Sequence, residues 1–138
     1  MKDCLFCKII KGEIPCTKVY EDEKTLAFLD INPTNIGHTL VIPKNHSRNI
    51  FDIKKEDLES VYNTSQRIAQ AIKNSLGVDG VNIISNNESA AGQLVFHTHI
   101  HIVPRLENDG FRHWKGKRGY EDGEAEETAL KIQNDLNM

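Results

Sequence analysis

The segment Phe96-His97-Thr98-His99-Ile100-His101-Ile102-Val103 alternates histidine with other residues. Successive side chains of a β-strand point to opposite faces, so this alternation predicts a strand that carries three histidines on one face. The residues between the histidines would lie on the other face, against the core. We predict a long strand from Leu94 to Val103, ended by Pro104. Packing alone explains three histidines on one strand face poorly.

These histidines could hold a metal or take part in catalysis. Alternate residues of a strand are about 6.6 Å apart, so His97 and His101 would be about 13 Å apart. A zinc–nitrogen bond is about 2 Å long, so the three could share one ion only if the strand bent. Neutral imidazole is a nucleophile and a proton carrier near pH 7, and histidine donors suit an anionic centre such as a phosphate. The geometry therefore favours catalysis over a three-histidine metal site.

The surrounding sequence predicts strands first, one long helix in the middle and strands again. Apolar residues recur at spacings of three and four between Lys55 and Leu76, which predicts an amphipathic helix that stops at Gly77. A shorter helix is predicted from about Glu124 to Leu136. The other predicted strands are Val19 to Glu21, Thr25 to Asp30, His38 to Pro43 and Val81 to Ser85. Because only one helix separates strands, we predict an α+β domain with a mainly antiparallel sheet.

Length and composition limit the function classes. The chain has 138 residues, 38% apolar and 27% charged, which predicts one folded domain over residues 1–138. The net charge of −3 argues against non-specific electrostatic binding to nucleic acid or to an anionic membrane. No apolar run approaches the roughly 20 residues that span a bilayer, and the start lacks an export signal, so we expect a cytoplasmic protein.

The histidine segment resembles the signature of the histidine triad (HIT) family, His-φ-His-φ-His-φ-φ with φ apolar. Thr98 is the one polar residue at a φ position. Further blocks that resemble the family are Gly92-Gln93, Ile102-Val103-Pro104-Arg105, Ala27-Phe28-Leu29-Asp30-Ile31, Gly37-His38-Thr39-Leu40-Val41-Ile42-Pro43-Lys44 and Cys4-Leu5-Phe6-Cys7-Lys8-Ile9-Ile10. The resemblance is clearest over residues 4–105, leaves 106–138 as a variable segment, and is closest to the bacterial phosphoramidase-like branch. It implies a five-stranded antiparallel sheet and a homodimer.

The resemblance implies a hydrolase that acts on nucleotides at the α-phosphate. His99 is expected to be the nucleophile and to form a nucleotidyl-histidine intermediate, which water converts to the nucleoside monophosphate. His101 is expected to contact the phosphate and the scissile atom, and His38 to support it. The implied substrates are purine nucleoside phosphoramidates or related mixed anhydrides. A dinucleoside polyphosphate hydrolase, or a nucleotide-binding protein with little turnover, is the alternative.

The resemblance also implies which residues bind the nucleotide. Asp30 is expected to accept hydrogen bonds from the ribose, or else to cap a strand end. Asn86 is expected to contact the phosphate or ribose side, or else to serve only as a loop residue. Backbone N–H groups near Gly92 and Gln93 would hold phosphate oxygens. The apolar residues that would line a base pocket, unless they only pack the core, are Phe6, Ile9, Phe28, Leu29 and Ile31.

Leu94 departs from the family pattern, because many phosphoramidase-like members carry Ser or Thr at that position. Leucine cannot donate a proton to the leaving group. We hypothesise that His101, Gln93 or a water molecule replaces the missing hydroxyl. The basic segment 112–118 is given no role.

The C-x-x-C pair of Cys4 and Cys7 is compatible with a redox pair, two reduced thiols or half a zinc site. Four-coordinate zinc needs two further ligands, for which His46 and His97 are the candidates. The resemblance to bacterial family members implies a structural Zn²⁺ site of these four residues, which leaves the middle histidine free for chemistry. No cofactor is then required for the reaction itself, and Cys16 is expected to be a bystander.

Overall fold

The computed structural model describes residues 3–112, 114 and 116–137, so His113 and Lys115 of the basic segment lie outside the described residues. The elements are α1 (Leu5–Ile10), β1 (Lys18–Glu21), β2 (Thr25–Leu29), β3 (Thr39–Pro43), α2 (Lys55–Leu76), β4 (Gly80–Ile84), a 3₁₀ turn (Ser89–Ala91), β5 (Ile100–Arg105) and α3 (Glu124–Leu136). The strands form one antiparallel sheet in the order β1-β2-β3-β5-β4. The predicted α+β fold, with a five-stranded sheet, a long central helix and a shorter C-terminal helix, is confirmed.

The long helix α2 covers one face of the sheet. Its first turn carries Glu56 and Asp57, which suit the positive end of the helix dipole. It ends at Gly77, whose φ of 64° lies in the left-handed region that glycine adopts most easily. Apolar side chains from α2, from alternate strand positions and from the connection after α2 form the core between them: Ala27, Val41, Val61, Ile68, Ile72, Val78, Ile100 and Ile102. The predicted amphipathic stripe of α2 is therefore the side that packs on the sheet.

The opposite face of the sheet carries a second, smaller core. Its buried members are Phe6 of α1 together with Leu26, Phe28, Leu40 and Ile42 of β2 and β3. These strand residues alternate with those of the first core, as the period of two requires. His101 of β5 lies directly opposite Leu40 of β3. The second face is therefore the one that presents this histidine.

The predicted strand from Leu94 to Val103 was wrong at both ends. β5 begins only at Ile100 and continues through Pro104 to Arg105. The sheet tolerates Pro104 because the pairing of β5 with β3 reaches only Ile102, beyond which β5 pairs with β4 alone. Residues before Ile100 are not strand, so strand alternation does not describe how all three histidines are placed.

Helix α3 buries none of its side chains, and Leu130, Ile132 and Leu136 are exposed along it. Among the residues that the structure describes, we found no helix with the length and apolar content needed to cross a membrane.

Candidate active site and metal site

The three predicted catalytic histidines lie together beside the paired strands β3 and β5, with His38 directly before β3, His99 directly before β5 and His101 within β5. The rings of His38 and His101 have their centroids 5.1 Å apart, as do the rings of His99 and His101. His38 and His99 are buried, whereas His101 is partly exposed. His97 is turned away from this group and faces the cysteines of α1. The family resemblance predicted both the members of the cluster and the use of His97 as a metal ligand instead, whereas strand alternation alone would have put His97 on the same face as His99 and His101.

Hydrogen bonding fixes which nitrogen of His99 is free. Its Nδ1 lies 2.7 Å from the backbone carbonyl oxygen of His97. A carbonyl oxygen only accepts, so Nδ1 carries the proton of the neutral ring and Nε2 keeps a lone pair. Burial lowers the pKa of His99, which keeps the ring neutral, although the hydrogen bond to His97 opposes this shift. His99 is therefore held as a neutral imidazole with an available nucleophilic nitrogen.

Hydrogen bonding also determines which ring nitrogens of His38 and His101 carry a proton. The backbone N–H of Thr34 donates to His38 Nδ1 at 3.1 Å, so the proton of neutral His38 is on Nε2. His38 Nε2 lies 2.9 Å from His101 Nδ1 and donates to it. The remaining proton of His101 is then on Nε2, where it can be donated to a bound group.

Both rings of this pair are held neutral. Burial, reinforced by the neighbouring charges of His99 and His38, lowers the pKa of His101 to about 4. Burial also lowers the pKa of His38, although the nearby Asp30 carboxylate favours the charged ring. An Asp30 oxygen lies 3.6 Å from His38 Nε2. The pair therefore offers donors without positive charge.

Asp30, His38 and His101 place three ligand atoms within 4.8 Å of one another, a separation compatible with a metal ion. The hydrogen bonding disfavours that use. A metal on His38 Nε2 would force the ring proton to Nδ1, which already accepts from the N–H of Thr34. We therefore interpret the group as a hydrogen-bonded relay.

A cavity of about 460 Å³ opens beside these histidines, within the usual size of small-molecule sites. Its wall contains His99, His101 and eight of the nine predicted nucleotide-binding residues: Phe6, Ile9, Phe28, Leu29, Asp30, Ile31, Asn86 and Gly92. Leu94, which the sequence singled out as the position facing the leaving group, also lines the cavity, and the residues that the sequence reasoning missed are Leu5, Ile14, Pro15, Cys16, Asn32, Leu40 and Val95. Leu40 could have been predicted, because it lies on the same face of the sheet as its pairing partner Phe28. Ile14, Pro15 and Cys16 lie in a loop where no periodicity points to them.

Gln93 and the backbone of Gly92 are placed differently from the expectation. The Gln93 side chain is buried, and both ends of its amide bond to other protein groups. The N–H of Gly92 donates to the carbonyl of Ser89, and that of Gln93 to the carbonyl of Glu88. Both groups that were expected to hold phosphate oxygens are thus already used within the loop.

The four predicted metal ligands converge at the start of α1. The Nδ1 atom of His97 lies 3.4 Å from Cys4 Sγ, 3.6 Å from Cys7 Sγ and 3.1 Å from His46 Nδ1, and Cys7 Sγ lies 3.4 Å from His46 Nδ1. Tetrahedral zinc with its usual bond lengths would set sulfur–nitrogen separations of about 3.6 Å and a nitrogen–nitrogen separation of about 3.3 Å. The observed distances agree within a few tenths of an ångström. Both the donor set and the geometry fit Zn²⁺.

Neighbouring groups orient this site. His97 Nε2 lies 2.8 Å from the carbonyl oxygen of Pro43, so it carries the proton and Nδ1 is left for a metal. Burial lowers the pKa of His97 to about 4, which favours the neutral, ligating form. Cys4 also caps α1, because its Sγ accepts from the backbone N–H of Cys7. Phe6, between the two cysteines, packs against the rings of His97 and His99 and so joins the metal site to the cavity.

A family model described as the HIT domain matches residues 11–108. The chain belongs to the HIT family. An uncharacterized HIT-like protein of Borreliella burgdorferi is 46% identical over 139 residues, covering 99% of this chain and 100% of that protein. The crystal structure of SMU.412c from Streptococcus mutans superposes with a TM-score of 0.92 at 45% identity, covering 99% of this chain and 87% of that one.

Other HIT relatives have names that bear on function. An adenylylsulfatase, HINT3 of Arabidopsis thaliana, is 47% identical over 107 residues, covering 78% of this chain and 54% of that protein. A zinc-bound histidine triad protein of Mycobacterium smegmatis has a TM-score of 0.77 at 39% identity, and a histidine triad nucleotide-binding protein of Candida albicans has 0.87 at 31%; each comparison covers 98% of both chains. Membership of the HIT family supports nucleotide hydrolysis or binding at a general level.

Proposed function

We propose that the protein hydrolyses nucleotides at the α-phosphate through a nucleotidyl-histidine intermediate on His99, with purine nucleoside phosphoramidates or related mixed anhydrides as substrates. The observation that carries the proposal is the 2.7 Å contact between His99 Nδ1 and the carbonyl oxygen of His97. It leaves Nε2 unprotonated in a ring that also lines the cavity. An oriented neutral imidazole is the activated nucleophile that covalent catalysis requires.

The proposed reaction has two displacements. Attack by His99 Nε2 forms a nitrogen–phosphorus bond and breaks the bond to the leaving group. An amine leaves with the electron pair of that bond and takes a proton from solvent. Water then attacks the same phosphorus, the electron pair of the histidine–phosphorus bond returns to Nε2, and a proton goes to solvent. The products are the amine and the nucleoside monophosphate.

His101 and His38 would stabilise the phosphoryl group during both steps. The relay from Thr34 through His38 leaves the Nε2–H of His101 available as a donor. A preorganised donor of this kind stabilises charge that develops on a phosphoryl oxygen or on the departing atom. His38 would act through His101 rather than on the substrate.

The remaining nucleotide would occupy the cavity next to the histidines. We propose that Asp30 accepts hydrogen bonds from the ribose hydroxyls, which is supported by its position in the cavity wall beside His38. The apolar wall formed by Phe6, Ile9 and Phe28 suits a flat purine base. Asn86 lines the same cavity close to Gly92, and we propose it for the phosphate or ribose side.

Leu94 is 89% exposed at the cavity and offers no donor to the leaving group. Of the substitutes hypothesised for the missing hydroxyl, Gln93 is disfavoured because its amide is bonded elsewhere. His101 or a water molecule remains. If the missing hydroxyl limits the reaction despite this substitute, Leu94→Ser will raise turnover of a substrate with a poor leaving group; unchanged turnover will mean that the hydroxyl is not limiting.

The direct test compares AMP release from adenosine 5′-phosphoramidate by the parent protein and by His99→Ala. Release by the parent alone supports the proposal. Release by neither folded protein contradicts it and moves the function towards binding with little turnover. Adenylyl sulfate and a diadenosine polyphosphate complete the substrate panel. The adenylylsulfatase relative supports including the first, and efficient cleavage of the second would favour a dinucleoside polyphosphate hydrolase.

We infer that Cys4, Cys7, His46 and His97 hold a structural Zn²⁺. Their donor chemistry and separations support this, and a zinc-bound HIT protein is among the structural relatives. The ion would cross-link α1 to the segments that carry the two histidines, and no reaction step requires it. Metal analysis of protein purified without chelators tests the inference. One zinc per chain is expected, and its loss in Cys7→Ser would assign the ligands.

We also propose a homodimer that joins two sheets at β4. This strand forms one edge of the sheet, and Ile83 and Ile84 on it are exposed. A cavity of about 500 Å³ runs along the edge and is lined partly by Trp114. Exposed apolar edges of this kind favour strand pairing with another chain. Light scattering is expected to give twice the chain mass, and Ile83→Glu to give the monomer; a monomeric parent protein would contradict the proposal.

A further inference from the structure

The cavity wall includes a long connection that the sheet does not hold in place. Between Ile84 and Ile100 the chain forms only one 3₁₀ turn, yet Asn86, Gly92 and Leu94 of this connection line the cavity. The connection also leads directly into His99. Long irregular loops keep a defined conformation only when other groups fix them. Side-chain hydrogen bonds from the segment 46–52 provide that restraint.

Gln93 is the buried centre of this restraint. Its Oε1 accepts from the backbone N–H of Glu88 at 2.8 Å and from Asn49 Nδ2 at 3.0 Å. Its Nε2 donates to the carbonyls of Arg48 and Val95, at 2.8 and 3.0 Å. One amide therefore fixes both sides of the turn that runs from Glu88 to Gln93.

Asn49 connects this turn to the other segment. It is 1% exposed, and its Nδ2 donates to Gln93 Oε1 and to a Glu88 carboxylate oxygen at 2.6 Å. Its own Oδ1 accepts from the N–H of Phe51, so all three of its side-chain contacts are with protein groups. Asn49 does not line the cavity.

Glu88 has an unfavourable backbone conformation that its hydrogen bonds to neighbouring residues maintain. Its φ of 78° is positive, a conformation that non-glycine residues rarely adopt. Its carboxylate also accepts from Arg48 Nε and Nη2, at 3.0 and 2.9 Å. The guanidinium of Arg48 in turn lies over the ring of Phe96, 4.2 Å from its centroid. The hydrogen bonds of Glu88 and the stacking of Arg48 therefore restrain the connection up to the residue before His97.

We propose that Asn49 and Gln93 are positioning residues for the nucleotide cavity. They touch no substrate and set the place of the wall formed by Asn86, Gly92 and Leu94. The effect on catalysis rests on the proposed function, whereas the effect on the loop does not. Loss of the Asn49 amide would therefore weaken nucleotide binding more than it slows the chemical step.

The main variant is Asn49→Asp, which keeps the shape but turns the donor into an oxygen that faces Glu88 and Gln93. We expect KM for adenosine 5′-phosphoramidate, and Kd for AMP, to rise about tenfold, the effect of losing roughly one well-placed hydrogen bond. The value of kcat is expected to change less than threefold. Adding Glu88→Gln supplies a new donor opposite the introduced carboxylate and should restore most of the affinity. Glu59→Gln, in an exposed ion pair on α2, is the matched control.

Hydrogen exchange gives a readout that does not depend on nucleotide. Amides of residues 86–96 should exchange faster in Asn49→Asp, while those of α2 stay unchanged. If this variant fails to fold, Asn49→Ala removes the same bonds without adding charge. Unchanged exchange and unchanged KM, or no rescue by Glu88→Gln, would overturn the proposal. If the parent protein binds no AMP but the loop still loosens, the proposed function fails and the positioning of the loop stands.

Discussion

Phe6 joins the metal site, the second core and the nucleophile, which makes Phe6→Ala an informative perturbation. The side chain is 5% exposed and packs edge-on against the rings of Phe28, His97 and His99, with centroids 5.7, 5.9 and 5.1 Å away. Burial of such a side chain contributes about 2 to 3 kcal/mol, and the cavity left by truncation adds to the loss. We therefore expect the free energy of unfolding to fall by about 3 to 5 kcal/mol.

Urea unfolding of the zinc-loaded protein measures this change, and Phe51→Ala is the matched control. Phe51 is 77% exposed, so its truncation should change the free energy of unfolding by less than about 0.5 kcal/mol. Because Phe6 also lines the cavity, Kd for AMP should rise about tenfold or more in Phe6→Ala. A loss of stability below about 1 kcal/mol, or one equal to that of Phe51→Ala, would refute the structural role assigned to Phe6.

Zinc removal, a glycine substitution and a change of pH each have an expected effect. Removal of zinc by a chelator should lower the melting temperature, because the ion would cross-link α1 to the rest of the fold. It should also weaken AMP binding, because α1 carries Phe6 and Ile9 of the cavity wall. Calorimetry before and after zinc is added back tests whether both effects are reversed. Gly37→Ala should destabilise the fold by about 1 to 3 kcal/mol, since φ is +97° and the new Cβ would meet Leu76 at 2.5 Å; denaturant unfolding measures it. The free energy of unfolding should fall as the pH is lowered from about 6.5 to 4, because the histidine side chain at position 101 takes up a proton in the unfolded chain but not in the folded protein, where its pKa is about 4. Denaturant unfolding at several pH values tests this. In His101→Asn the free energy of unfolding should depend less steeply on pH.

The sequence predicted the elements with clear periodicity well. The bounds of α2 match those expected, because a stripe of apolar residues over 22 residues leaves little ambiguity. The alternation around the histidines indicated one long strand, which is wrong. Residues 94–99 are fixed by side-chain hydrogen bonds to the segment 46–52, as in the bond between Ser47 and Thr98. Such tertiary bonds give no periodic signal in the sequence.

The candidate site was predictable where chemistry marked the residues. Histidine and cysteine spacing, with the family resemblance, identified the groups that the structure brings together. The six-residue helix α1 was missed because it is too short for a helical period to be visible. The structural use of Gln93 was missed because an amide serves a phosphate and a loop carbonyl equally well, and only the fold decides between them.

The central claim is that His99 becomes covalently linked to the nucleotide. The most direct test is the intact mass of the protein after rapid alkaline quenching of a reaction with adenosine 5′-phosphoramidate, followed by peptide mapping. We predict an increase of one adenylyl group on the peptide that contains His99, absent from His99→Ala. AMP release at the parent rate by His99→Ala, or an adduct on another residue, would contradict the account.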